Sequence, residues 1–337
     1  KEVNKMERFD IPVALIIFKR EKAVEVLKRI AAVRPKKLYL LADQGRNDEE
    51  REQVRRCREA VENAINWDCE VIKNYAEENR GVYGNIALGA KWVFEREKWA
   101  IFLEDDNLPE TTFFPYCWEL LHRYEGDTRI LWICGTNYLG KYEPEDGSSY
   151  VFTRHMLPCG WASWADKFNK FYDGDLKLVD DEIVLSRLRM DYYDDRIYKQ
   201  YHRHWKLERQ RFLDGKRFVS WDYQMNFALR ANGLYGIAPS CNQIRNIGVD
   251  DAATHSGMSR SDKITKRICD MESYPISFPL KHPKVVLRDE YFERETSRIV
   301  LYPFSLVRPL SKIVRAVFRI PYDVTTKAFF TGILKRK

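Results

Sequence analysis

Residues 13 to 18 read VALIIF, a continuous apolar run of the kind that forms a strand buried on both faces. Residues 21 to 32 carry apolar side chains at helical spacing, so a helix is predicted after this strand. The same order recurs downstream, with strands predicted at 37–42, 69–72, 99–103 and 130–134 and helices at 48–65 and from Asn85 onward. Alternating elements of these lengths predict an α/β fold, a Rossmann-like, mostly parallel sheet flanked by helices.

The composition is that of a folded globular protein. The 337 residues are 45% hydrophobic and 32% charged, which excludes a disordered protein, and 16 glycines with 13 prolines exclude a collagen-like one. Seven cysteines form no CxxC pair, so neither a disulfide framework nor a zinc site is predicted. No apolar run reaches the length of a membrane-spanning helix. We predict one domain over residues 1–300, in which a regular α/β part at about 10–140 is followed by a less regular part at about 141–300.

Residues 100 to 109, AIFLEDDNLP, end a buried strand in three consecutive carboxylates, Glu104, Asp105 and Asp106. Like charges this close raise each other's pKa, and a divalent cation removes that cost. Oxygen ligands suit Mg²⁺ or Mn²⁺, which often share few protein carboxylates with substrate phosphates. The alternative is that the carboxylates cap a helix beginning at Pro109.

Ligands of open α/β sheets bind beyond the carboxyl ends of the strands. The side chains placed there are Arg20 after the first predicted strand, Asp43 after the second and the acidic turn after 99–103. Arg80, in a turn before Gly81, could contact a diphosphate or could be solvated.

The second half of the chain is irregular and holds three further features. Gly160 and Trp161 could line a sugar site or pack in the core, where Trp161 and Trp164 would be helix-face neighbours. Asp222 could act as a general base, or it could be a cap or turn residue before a helix over 223–229. His255 alone has the pattern of an ordinary histidine.

Residues 196–211, RIYKQYHRHWKLERQR, mix positive charge with aromatic rings, a combination that also occurs in nucleic-acid-binding proteins. The first 302 residues, however, contain equal numbers of acidic and basic residues, and no nucleic-acid-binding motif accompanies the stretch. We therefore predict either a charged helix covering the domain or a site for an anionic acceptor, and no nucleic-acid partner.

The net charge of +7 resides in residues 303–337. Arg308, Lys312, Arg315 and Arg319 recur at helical spacing opposite an apolar stripe, which predicts a basic amphipathic helix within a 301–337 tail. Such a helix suits an anionic membrane surface. Docking against the protein's own core is the alternative.

Several segments, in order, resemble the GT-A nucleotide-sugar glycosyltransferases, most of all the N-acetylglucosaminyltransferase I type and bacterial surface-polysaccharide transferases. The likeness spans about residues 10–257 and rests on the ordered set rather than on any single piece. The segments are 18–20, 87–89, 101–106, 134–137, 158–161, 220–222, 238–239 and 254–257.

The resemblance implies a role for each matching residue. Asp106 would bind a Mn²⁺ or Mg²⁺ ion that bridges the donor diphosphate, and His255 would reach the same metal or diphosphate. Glu104 and Asp105 would face the nucleotide side, and Arg20 with Asp43 would hold the base and ribose. Asp222 would be the catalytic base.

The resemblance also implies an activity, which is inverting, metal-dependent transfer of a sugar from a nucleotide-diphosphate sugar, with UDP-sugars as the expected donors, to a saccharide or lipid-linked saccharide in surface polysaccharide synthesis. Residues of about 10–140 would then form the nucleotide-binding part, and residues of about 141–300 the acceptor side. The expected location is peripheral, on the cytoplasmic face of a bacterial cell membrane. Two other classes remain open: a sugar nucleotidyltransferase, and a non-catalytic saccharide- or nucleic-acid-binding protein.

Overall fold

The fold is described by a computed structural model, which covers residues 9–248 and 268–302. Strands and helices alternate through the first half of the chain, and helices dominate between residues 165 and 231. The strands are β1 Val13–Ile17, β2 Lys37–Ala42, β3 Glu70–Tyr75, β4 Trp99–Glu104, β5 Asn107–Pro109, β6 Ile130–Cys134, β7 Tyr150–Thr153, β8 Trp161–Trp164, β9 Tyr235–Pro239 and β10 Ile244–Asn246. The helices are α1 Ala23–Ala31, α2 Asp48–Asn63, α3 Gly81–Phe94, α4 Phe113–Arg123, α5 Ala165–Phe171, α6 Glu182–Met190, α7 Asp195–Leu213, α8 Asp222–Ala231 and α9 Glu290–Val300.

Eight strands form one central sheet in the order β3-β2-β1-β4-β8-β6-β9-β7. The four strands from β3 to β4 are parallel, β6 and β9 are parallel to each other, and β8 and β7 run antiparallel to their neighbours. The predicted α/β class, a mostly parallel sheet flanked by helices, is confirmed.

Each face of the sheet carries its own apolar core. Helices α1, α2 and α4 cover one face, while α3, α5, α8 and α9 cover the other. Trp161 and Trp164 lie on strand β8 and point into opposite cores, because residues three apart on a strand face opposite sides. The expectation that they are neighbours on one helix face is therefore wrong.

A helical layer over residues 176–213 packs on the outer side of α8. Leu185, Leu188, Ile197 and Trp205 form a third apolar cluster, and Phe227 of α8 joins it. The basic aromatic stretch forms α7, whose partly buried face covers the domain, as the sequence predicted. His204 stacks on Tyr223 with ring centroids 4.3 Å apart.

By its internal contacts, the chain divides into two units, Lys1–Leu301 and Tyr302–Lys337. Apart from Tyr302, the second unit and the predicted amphipathic helix lie outside the described residues. In the ranges that are described, none of the helices has both the length and the apolarity needed to cross a bilayer.

A buried ionic cluster fixes α9 to the domain. The Glu293 carboxylate accepts hydrogen bonds from Arg230 at 2.7 Å and from Thr153 at 2.6 Å, and Arg230 also donates to Asp191 at 2.7 Å. Burial would raise the pKa of Glu293, but the charges of His155 and Arg230 and the hydrogen bond from Thr153 outweigh it and lower the pKa to about 2. Glu293 is thus ionised in the folded protein down to strongly acidic pH.

We expect Glu293→Gln to lower the free energy of unfolding at neutral pH by about 3 kcal/mol, because the buried Arg230 then keeps only Asp191 as a counter-charge, and Asp191 is shared with Arg154 and Arg288. A folded-state pKa below the unfolded value stabilises the protein above the unfolded pKa, and this stabilisation is lost as the pH falls from about 4.5 to about 2. Urea unfolding followed by tryptophan fluorescence should show this loss of stability at acidic pH in the native protein and less of it in the variant.

Glu295→Gln is the control, since it removes a surface pair with Arg298 on the same helix and should change the free energy of unfolding by less than about 1 kcal/mol. Equal effects of the two substitutions would contradict the assignment.

Candidate functional site

The carboxyl ends of β1 and β4 meet at the centre of the sheet edge. These strands are parallel neighbours with Ile16 opposite Glu104, so the turns that follow them lie side by side. The first turn supplies Arg20 and the second supplies Asp105 and Asp106. We call Glu104, Asp105 and Asp106 the acidic turn. Helix α4 begins only at Phe113, so the acidic turn does not cap it.

Arg20 is bound to both aspartates of the acidic turn. Its Nη1 lies 2.8 Å from Asp106 Oδ2 and 3.4 Å from Asp105 Oδ1, and its Nη2 donates to the Gly248 carbonyl at 3.3 Å. The Phe18 amide also donates to Asp105, at 3.2 Å. In this structure the Arg20 guanidinium pairs with two carboxylates of the acidic turn, and its assignment to a nucleotide base and ribose stays a prediction.

The small antiparallel sheet of β5 and β10 brings residues 244–248 over the acidic turn. The Ile247 amide donates to the Asp106 carbonyl at 2.8 Å. A Cβ added to Gly248 would lie 2.1 Å from Asp106 Oδ2, so only glycine fits there. Sequence reasoning missed Gly248, because its role depends on a contact between segments that lie far apart in the chain.

Cys159 is a second residue at the acidic turn that sequence reasoning missed. Its thiol accepts a hydrogen bond from Asn246 at 3.6 Å. Burial, and after it the charges of Asp106 and Glu104, raise the pKa of this thiol well above its usual value. Cys159 is therefore a neutral thiol in the wall of the acidic site.

The acidic turn carries more negative charge than Arg20 can balance. Burial raises the pKa of Glu104 well above its usual range, and the charges of Asp106, Asp105 and Asp222 raise it further, while Arg20 lowers it. Burial and Asp106 also raise the pKa of Asp105. Asp222 is thus close enough to the acidic turn for its charge to act on Glu104.

Asp222 is the first residue of α8, but its side chain does not cap that helix. Its Oδ1 accepts a hydrogen bond from the Ser220 hydroxyl at 2.8 Å, and the same hydroxyl accepts from the Tyr223 amide at 3.1 Å. Trp221 packs against Trp161 and Trp132, which fixes the start of α8 above β8 and β6. The interpretation of Asp222 as a helix cap is therefore wrong, whereas the other alternative, that it is a turn residue at the start of the helix, agrees with its place in the first turn of α8.

Asp43 organises the turn that precedes α3. Its Oδ1 accepts from the Arg80 amide at 2.7 Å, and its Oδ2 accepts from the Gly81 amide and the Asn79 side chain, each at 3.0 Å. The Arg80 guanidinium donates to Asn74. Asp43 and Arg80 were assigned to nucleotide binding from the sequence; here protein donors occupy the Asp43 carboxylate, and that assignment stays a prediction.

Gly160 and Trp161 lie next to the acidic turn but face inward. Gly160 has a φ of +62°, and an added Cβ would lie 2.5 Å from Ile244, so this position requires glycine. Trp161 is 1% exposed, and its ring stacks between Phe102 at 4.0 Å and Trp132 at 4.3 Å. The structure thus corrects the expectation for Trp161, because both faces of the indole are covered by core side chains and neither is open to a sugar.

Comparisons with known proteins give a weak structural likeness. No protein-family model and no curated protein matches the sequence. Among solved structures, the chain is similar to UDP-glucose pyrophosphorylase complexed with UDP-glucose, with 8% identity and a TM-score of 0.35, over 70% of this chain and 93% of the other. The apo form of UDP-glucose pyrophosphorylase matches at 8% identity and a TM-score of 0.33 over the same shares. Similarity this low carries no argument about activity.

The donor atoms of the acidic turn fit a hard divalent cation. They are all carboxylate oxygens, and the excess of carboxylates over Arg20 favours binding of positive charge. Among the described residues, no group of three or more His, Cys, Asp or Glu side chains is arranged so that it could hold a metal ion by itself. Any cation would therefore take its remaining ligands from a bound phosphate or from water. His255, the other predicted ligand, lies outside the described residues.

Proposed function

We propose that the protein is an inverting glycosyltransferase that moves a sugar from a nucleotide-diphosphate donor, with UDP-sugars as the first candidates, to a hydroxyl of a saccharide or lipid-linked saccharide. One observation carries the proposal. The acidic turn at the end of β4 lies near a separate carboxylate, Asp222, which no helix cap uses and which a serine hydroxyl orients. A cation-binding turn and an independent base are the two parts that this reaction requires.

The negative charge that develops on the leaving diphosphate needs positive charge at the sheet edge. Asp106 would hold Mn²⁺ or Mg²⁺ together with the donor phosphates, and the ion would supply Lewis-acid stabilisation of the leaving group. Arg20, which already contacts Asp106, is placed to share its guanidinium with a phosphate. Glu104 and Asp105 complete the acidic wall on the nucleotide side.

Asp222 would remove the proton from the acceptor hydroxyl as the hydroxyl attacks the anomeric carbon. The bond from that carbon to the diphosphate breaks as the new glycosidic bond forms, and the proton goes to the Asp222 carboxylate. No covalent sugar–enzyme intermediate is needed, so one base is sufficient and the anomeric configuration inverts.

The direct test is release of nucleoside diphosphate from a panel of UDP-sugars, with and without Mn²⁺ and with candidate saccharide acceptors. We expect release that requires both the metal and an acceptor, and a product of inverted configuration by NMR. If nucleoside diphosphate is released at the same rate without the metal and in the Asp106→Ala variant, the proposed site is contradicted.

The second candidate is a sugar nucleotidyltransferase, the activity class of the pyrophosphorylase named above. The acidic turn beside Arg20 would serve a metal in that reaction as well. The segment after β1 does not favour a nucleotidyltransferase. Residues 18–27, FKREKAVEVL, contain no glycine that would let the backbone approach a triphosphate closely. Pyrophosphate formation from UTP and a sugar 1-phosphate, without UDP release, would favour this candidate.

The place of action is part of the proposal. We place the enzyme at the cytoplasmic face of a bacterial cell membrane, where its basic tail would bind anionic lipids and its product would enter a surface polysaccharide. Co-sedimentation of the full chain with vesicles tests this. Binding should require an anionic lipid and should weaken at high salt.

Ser220 is a positioning residue in this scheme. We expect Ser220→Ala to lower kcat by about tenfold, because Asp222 loses the hydrogen bond that orients it, whereas Ser220→Thr should keep most of the activity. Steady-state kinetics with saturating donor measure the effect, and thermal unfolding checks the fold. A purely structural role would lower the unfolding temperature and leave the kcat of the folded protein unchanged.

A further inference from the structure

A cavity of about 550 Å³ lies along the outer edge of β7, away from the acidic turn. Its walls come from residues 142–146, from β7 itself and from residues 283–294, which include the start of α9. The volume falls in the range of about 300–1,000 Å³ that is typical of small-molecule sites. None of the roles proposed above uses this cavity.

The apolar part of the wall is aromatic and aliphatic and remains open to solvent. The rings of Tyr142 and Tyr291 are parallel within 10° at 5.9 Å between centroids, and Tyr291 is 61% exposed. Val285 and Leu287 are 60% and 67% exposed. Flat apolar surface of this kind suits the C–H face of a sugar ring.

The polar part of the wall is acidic overall. It consists of four carboxylates and two guanidiniums, those of Glu145, Asp146, Asp289, Glu290, Arg288 and Arg294. The excess of carboxylates disfavours phosphates, nucleic acids and anionic lipid headgroups. Carboxylate oxygens accept hydrogen bonds and guanidinium N–H groups donate them, so these side chains can bind adjacent hydroxyl groups of a sugar. Charge and shape together therefore favour a neutral or amino sugar.

In the order of the strands, the residue next to Asp222 lies between the acidic turn and the cavity. Across the sheet, the acidic turn follows β4, Trp221 next to Asp222 packs over β8 and β6, and the cavity borders β7. Four strand spacings of about 4.8 Å, roughly 19 Å in total, separate β4 from β7. Phe292 of α9 joins the same apolar core as Met225 of α8, so both helices cover the same face.

We propose that this cavity is a saccharide-binding subsite that holds the distal part of a neutral or amino-sugar oligosaccharide while its reacting end lies at Asp222. The position of the reacting end at Asp222 rests on the proposed function, whereas the binding of a saccharide in the cavity does not. Acceptors a few sugars long would span from the subsite to the base, and shorter acceptors would not reach it.

The test is calorimetric binding of oligosaccharides to the full chain without any donor. The panel comprises oligomers of glucose, galactose, mannose and N-acetylglucosamine, from single sugars to hexamers. We expect affinity to rise with length, and Tyr291→Ala to weaken the best ligand about tenfold. Glu145→Gln should weaken it as well, by about threefold. Trp118→Ala is the matched control, since Trp118 is an exposed aromatic residue on α4 that does not line the cavity.

The outcomes separate this subsite from the proposed function. Length-dependent binding that is lost in Tyr291→Ala but kept in Trp118→Ala supports the subsite, even if no sugar transfer is found. If sugar transfer is found and the KM for the acceptor is the same in the native protein and in both cavity variants, the subsite is overturned and the proposed function stands. Failure of the whole panel to bind, or a dimer in sedimentation that Tyr291→Ala dissociates, also overturns it.

Discussion

Replacing Asp222 with asparagine is expected to lower kcat by about 10³-fold, within the range of about 10² to 10⁴ that a positioned general base contributes. An amide keeps the shape of the side chain and can still accept from Ser220, but it cannot take the acceptor proton. Donor affinity should stay within a factor of about two, because Asp222 does not belong to the acidic turn. UDP release with saturating donor and acceptor gives kcat, and calorimetry with UDP gives donor affinity.

Asp181→Asn provides the control for this substitution. Asp181 caps α6 through hydrogen bonds from the amides of Ile183 and Val184, and asparagine caps helices equally well. The control should therefore keep native activity and stability. If Asp222→Asn also keeps native kcat, Asp222 is not the base and the proposed mechanism is wrong.

Replacing Asp106 with asparagine is expected to lower kcat/KM by about 10³-fold, because the leaving diphosphate loses its electrostatic support. The substitution removes the charge that Arg20 contacts at 2.8 Å, but leaves a side chain of the same size. A second readout does not depend on turnover: Mn²⁺ binding in the presence of UDP, followed by electron paramagnetic resonance, should weaken by more than about tenfold.

Asp10→Asn is the matched control for Asp106. Asp10 is exposed, accepts a hydrogen bond from Trp118, and lies before the amino end of β1, at the opposite edge of the sheet. Neither Mn²⁺ binding nor activity should change in this control. Equal Mn²⁺ binding by the native protein and by Asp106→Asn would place the metal elsewhere and contradict the proposed site.

Local patterns predicted the first half of the fold well. The apolar runs at 37–42 and 130–134 form β2 and β6 with the predicted bounds, because strands buried on both faces require such runs. β3 extends to Tyr75, beyond the predicted end at Ile72, since it is an edge strand and admits Lys73 and Asn74. α3 begins at Gly81 rather than Asn85, because the Asp43 carboxylate binds the amides at its start.

Contacts between distant segments were beyond the reach of those patterns. The sequence placed the acidic turn, Arg20 and Asp43 at one sheet edge, but it predicted neither the pairing of Arg20 with Asp106 nor the contact of Gly248 with both side chains. Trp161 was misjudged for the same reason: its strand inserts between β4 and β6, and that burial depends on topology rather than on neighbouring residues. The spacing of residues along the chain shows which residue types each turn contains, but the pairing of the strands decides which of these residues come into contact.

The position of β8 has a consequence for how the chain is made. β4 and β6 hydrogen-bond to β8 and not to each other, yet β8 is synthesised after both. Until residue 164 has left the ribosome, β4 remains an unpaired sheet edge and β6 has no partner. Exposed edges of this kind promote aggregation, so we expect a chain truncated before β8 to aggregate more readily than the full chain.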